Sequence, residues 1–114
     1  MKSKEKDCWK WGRLMIKLLD EMKERNLFDE FKVIDWEVIP DFSGSADNMF
    51  VHLICNKKTD KVVLLEDKKK DLFSNIREEM KNYGFSKLAV ESIDFNIVSF
   101  EEINEGGGRF LYFR

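Results

Sequence analysis

Met49-Phe-Val-His-Leu-Ile-Cys-Asn-Lys-Lys-Thr-Asp-Lys-Val-Val-Leu-Leu65 is the stretch on which the fold turns. Two apolar runs, Met49 to Cys55 and Lys61 to Leu65, flank the polar connector Asn56 to Asp60, a length that suits a β-hairpin. The pattern predicts two antiparallel strands. Both faces of the pair carry apolar residues: Met49, Val51 and Leu53 against Phe50 and Ile54, then Val62 and Leu64 against Val63 and Leu65. The hairpin is therefore expected at the centre of a sheet, with helices covering it.

Upstream, Phe31 to Phe42 has period two, with Ile34, Trp36 and Val38 on one side and Asp35 and Glu37 on the other. This predicts a first strand that ends or runs along an edge at Pro40, followed by a loop over Ser43 to Asn48. Before it, Trp11, Met15, Leu18, Leu19 and Met22 recur at helical spacing, predicting a helix from about Asp7 to Asn26. Downstream, Asp71 as N-cap, the spacing of Leu72, Phe73, Ile76, Met80 and Tyr83, and Gly84 as terminator predict a second helix. Alternation at Ile93, Phe95 and Ile97, and the apolar segment Phe110 to Phe113, predict a fourth and a fifth strand, with Gly106 to Gly108 a connector before the last. The expected architecture is a single α+β domain over residues 1–114, in the order α-β-β-β-α-β-β, with a mainly antiparallel sheet packed against two helices.

Ten Phe and three Trp supply a core for a chain of 114 residues, whose 37% charged content implies a densely charged surface. Basic and acidic residues nearly cancel, 20 against 22, so the field of a nucleic-acid binder is missing and nucleic acid is not an expected partner. No apolar run is long enough for a membrane span or a signal peptide, and two isolated cysteines, Cys8 and Cys55, build neither a disulfide framework nor a zinc site. A cytoplasmic setting is expected, with no membrane partner and no cofactor.

Acidic residues cluster at Asp35, Glu37 and Asp41 beside Trp36, and again at Glu101 and Glu102. Carboxylates around an aromatic anchor suit an electrostatically steered interface with a basic protein. Partner binding by Asp35, Trp36, Glu37, Asp41, Glu101 and Glu102 is the leading functional expectation. It is the manner of small immunity proteins and antitoxins that neutralise nuclease-type toxins, and it requires no catalytic residues. His52 and Cys55, three apart on a strand, fall on opposite faces and cannot share an ion.

A second expectation follows from Pro40-Asp41, Asp47 and Glu66-Asp67-Lys68, which resemble the motifs of the PD-(D/E)XK nuclease superfamily. The resemblance implies Asp41 or Asp47 as first metal ligand, Glu66 as second, Lys68 as catalytic lysine, and a bound Mg or Mn ion. Lys68-Lys69-Lys70 ahead of the second helix is similar in layout to a double-stranded RNA-binding domain, which implies phosphate contacts there.

Overall fold

The computed structural model describes residues 4–39 and 49–113. A three-stranded mixed sheet in the order β1-β2-β3 is built from β1 (Val33–Ile39), β2 (Phe50–Cys55) and β3 (Asp94–Ser99). β1 and β2 are antiparallel, whereas β2 and β3 are parallel and joined by a helical crossover. The fold is α+β, as expected, and forms one compact domain; the strand count and order differ.

The first helix, α1 (Lys4–Glu24), buries Met15, Leu18, Leu19 and Met22 on one face, and Asn26 turns left-handed at φ 61° just beyond its end. A single 3-10 turn (Asp29–Phe31) leads into β1. There the expected alternation slips by one: a register shift between Val33 and Asp35 puts Val33 into the core and leaves Ile34 38% exposed, while Trp36 and Val38 keep their inward face. A bulge of this kind changes which face each following residue takes.

Lys61 to Leu65 does not form the strand that its apolar run predicts. This run is helical: α2 (Lys58–Val63) passes through a π-turn (Leu64–Lys68) into α3 (Lys69–Asn82). The physical reason lies further along the chain. Leu64, Leu72, Ile76 and Met80 are spaced by eight, four and four, so Val62-Val63-Leu64-Leu65 opens a helical stripe in which Leu64 alone of the four is buried. The Asp60 carboxylate secures the start by accepting from the Lys57 backbone N–H at 3.3 Å. Asp71, expected as an N-cap, lies inside the first turn of α3, while Gly84 terminates as predicted at φ 86°.

Ser86 accepts from the Ala89 N–H at 3.1 Å and starts α4 (Lys87–Ser92). After β3 come α5 (Phe100–Glu105) and α6 (Arg109–Tyr112), so the expected fifth strand is a short helix. One face of the sheet, with Val33, Val51, Leu53, Cys55 and Ile97, packs into the main core with α1, α3 and α4. The other face carries a smaller cluster of Ile54, Val98 and Ile103, against which Phe100, Tyr112 and Phe113 pack.

Candidate functional site

The site lies on the face of the sheet with the smaller cluster, where β1 is an edge strand. Trp36 turns inward, its ring 5.9 Å from that of Phe28, and alternation sends Asp35 and Glu37 outward. What meets them comes from the other end of the chain. α5 closes in a Schellman motif: Gly108 N–H donates to the Ile103 carbonyl at 2.9 Å and Gly107 N–H to that of Asn104 at 3.2 Å. Gly107 stands at φ 95°, and a Cβ there would come within 2.6 Å of Leu111 Cδ1. The Gly106 to Gly108 run is thus a defined reversal that delivers Arg109 to β1.

All three guanidinium nitrogens of Arg109 are engaged. Nη1 donates to Asp35 Oδ2 at 2.6 Å, Nε to Glu37 Oε1 at 2.8 Å, and Nη2 to the Trp36 carbonyl. Partial burial opposes the charge on Arg109, but the two carboxylates outweigh it and raise the guanidinium above its ordinary value. The neighbouring Trp36 N–H is taken by Asp35 Oδ1 at 2.8 Å, and the Ile34 carbonyl accepts from Lys23 Nζ at 2.9 Å. Side chains therefore satisfy three backbone groups of β1, the Trp36 N–H and carbonyl and the Ile34 carbonyl, on the edge where a further strand would otherwise pair.

Glu37 lies opposite His52, and His52 opposite Asn96, making a polar row across the three strands. Asn96 Nδ2 is 3.3 Å from His52 Nδ1, and the rings of Phe50 and Phe113 flank the imidazole at 4.7 Å each. Burial lowers the pKa of His52, while the charge on Glu37 works the other way. Cys55 points to the opposite face, as the spacing predicted. Its buried thiol donates to the Val98 carbonyl at 3.4 Å, and burial first, then Asp60, pushes its pKa up to about 11.

Glu101 and Glu102 sit elsewhere. Glu102 and fully buried Ser99 form a capping box at the start of α5: Ser99 Oγ accepts from the Glu102 N–H at 3.2 Å, and Glu102 Oε1 accepts from the Ser99 N–H at 3.2 Å. Glu102 also pairs with Lys61 at 2.9 Å, and Glu101 Oε1 accepts from the Lys58 N–H at 2.8 Å. These two carboxylates join α5 to α2 and lie apart from the Arg109 site. The sequence signal for this, Ser99-Phe-Glu-Glu102, stands in plain view but is overshadowed by the strand pattern before it.

Glu66 and Lys68 are on the π-turn, not on a strand. Two residues along a helix point in nearly opposite directions, and Lys68 Nζ donates to the Glu30 carbonyl at 2.9 Å while Glu66 is exposed. The two side chains thus lose the shared face that the nuclease resemblance requires. Asp41 and Asp47 lie outside the described residues. Among the described residues no three His, Cys, Asp or Glu side chains are grouped to hold a metal ion. The meander of three antiparallel strands that both resemblances presuppose is replaced by one hairpin and a helical crossover. No described helix is long and apolar enough to cross a membrane.

No family model matches the chain, and neither the curated proteins nor the solved structures contain a match to it.

Proposed function

We propose that this chain is a protein-binding module that recognises an arginine-bearing, basic partner at Asp35, Trp36 and Glu37, and that Arg109 occupies the site in the unbound state. The observation that carries this reading is the coordination of Arg109. A guanidinium fork matched by two carboxylates and a main-chain carbonyl is a recognition geometry that a lysine ammonium cannot fill in the same way. The carbonyl belongs to an edge strand, so a partner segment that replaces Arg109 gains a bond to the Trp36 main chain as well as the ion pairs.

The latch is suited to displacement. Arg109 directly follows three glycines and opens a four-residue helix that leaves Phe110 81% and Leu111 50% exposed. A basic nuclease-type toxin, neutralised by an inhibitory protein, is a partner of this chemistry. Asp41 belongs to the same acidic run in sequence, whereas Glu101 and Glu102 serve the start of α5 and are left out of the proposed contact.

The test is a titration of an extended arginine-containing peptide, and of its lysine counterpart, into the wild-type chain and Arg109→Ala. The reading expects the variant to bind the arginine peptide at least about tenfold more tightly than wild type, a difference of about 1.4 kcal/mol. It also expects Asp35→Asn with Glu37→Gln to abolish the gain. Equal affinity for both peptides, or no gain in a folded Arg109→Ala variant, overturns it.

A further inference from the structure

On the opposite side of the sheet, α3 and α4 bound an open groove of about 920 Å³. Its α3 wall is Lys70, Phe73, Ser74, Arg77, Glu78 and Lys81. These positions follow i, i+3, i+4, i+7, i+8 and i+11, a single helix face about 16 Å long. Phe85 and Val90 complete an apolar floor with Phe73. The floor is rigidly held: Phe73 stacks on Phe95 at 5.3 Å, and Phe85 lies 5.0 Å from Trp11. Arg77 lies over the Phe95 ring and donates to the Val90 and Ile93 carbonyls, which fixes the end of α4 against α3.

Charge selects the occupant. The groove is lined by four cations (Lys70, Arg77, Lys81, Lys87) and two anions (Glu78, Glu91), a balance opposite in sign to the chain's net −2. Lys81 is partly neutralised by Glu78 at 3.1 Å, but Lys70 and Lys87 make no ion pair with any described residue. The α3 wall runs for three turns and the shorter α4 bounds the other side, a cleft that takes the ridge of a third helix. We infer that it docks an acidic amphipathic helix of a partner protein, with apolar side chains on Phe73, Phe85 and Val90 and carboxylates facing Lys70, Lys81 and Lys87. This inference is independent of the Asp35–Glu37 site, which lies on the other face.

The experiment titrates a designed 14-residue amphipathic helix into the full chain, once with glutamate flanks and once with lysine flanks, while the oligomeric state is monitored. The glutamate peptide is expected to bind saturably, at least about tenfold more tightly than the lysine peptide, with the difference shrinking as salt rises. Lys70→Glu with Lys87→Glu, two exposed changes compatible with folding, should remove that preference, whereas Arg109→Ala should leave it intact. Equal binding of both peptides, indifference to the charge reversal, or occupation of the groove by a second copy of the chain overturns the inference.

Discussion

Arg109 Nη1 lies 2.6 Å from Asp35 Oδ2, a contact that joins the last helix to the first strand across 74 residues. It is the centre of a set of bonds that satisfies the carboxylates of β1 and its outward carbonyl at once. Because both Arg109 and Asp35 retain about 40% side-chain exposure, solvent screens the attraction, and the set holds α6 in place without being indispensable to the core.

Arg109→Ala is accordingly expected to lower stability by about 1–2 kcal/mol while leaving the fold intact. Arg109→Lys should restore only part of this, since one ammonium does not reach three acceptors in a plane. Urea unfolding of the three proteins, followed by far-UV circular dichroism, checks the order.

Ser99 and Glu102 begin α5, and loss of the cap in Ser99→Ala is expected to cost about 1 kcal/mol. Burial alone would raise the Glu102 pKa, but Lys61 and Ser99 more than compensate and hold it below the ordinary 4.5. A depressed carboxylate contributes stability that is present above its unfolded pKa and lost as pH falls through the folded one. Acid unfolding curves should therefore show a shallower loss below about pH 4.5 in Glu102→Gln than in wild type.

His52 gives a dependence at higher pH. Its pKa in the fold is below the ordinary 6.5, because burial disfavours the charged ring more than Glu37 favours it. The neutral ring is the stabilised form, so its contribution is complete above about pH 6.5 and declines as pH falls towards the depressed value. Thermal melts between pH 7.5 and 5.5 should show a falling Tm in wild type and a flatter response in His52→Gln.

Much of the fold is legible in the sequence where a period is long and its terminator present. The stripe from Met15 to Met22 with Asn26 beyond it, and that from Leu72 to Met80 with Gly84, specify α1 and α3. Lys61 to Leu65 misleads because a short apolar run has no period of its own: four apolar residues fit a buried strand as well as the first turns of a helix, and only the continuation to Leu72 and Ile76 distinguishes them. Phe110 to Phe113 misleads for the same reason, its helix being a single turn.

At the site, Asp35, Trp36 and Glu37 are readable as an outward acidic pair around an inward aromatic. Their partner is not, since the approach of Arg109 depends on the Gly107 reversal and on packing of Tyr112 and Phe113 against Ile54 and Val98, relationships without local sequence signature. Conversely, Glu66 and Lys68 form a persuasive motif only on a strand; on a helix, half a turn sends them to opposite sides.

Occupation of the Asp35–Glu37 site by a guanidinium is measured by chemical rescue. N-acetylarginine amide is added to Arg109→Ala at constant ionic strength, with N-acetyllysine amide as control, and Tm is recorded. A ligand at ten times its Kd adds about 1.4 kcal/mol, equivalent to a rise of about 4 to 8 °C in a domain of this size. A saturable rise is expected with the arginine compound alone, absent from wild type and from Arg109→Ala carrying Asp35→Asn and Glu37→Gln. An equal rise with both compounds, or none in the Arg109→Ala variant, would contradict it.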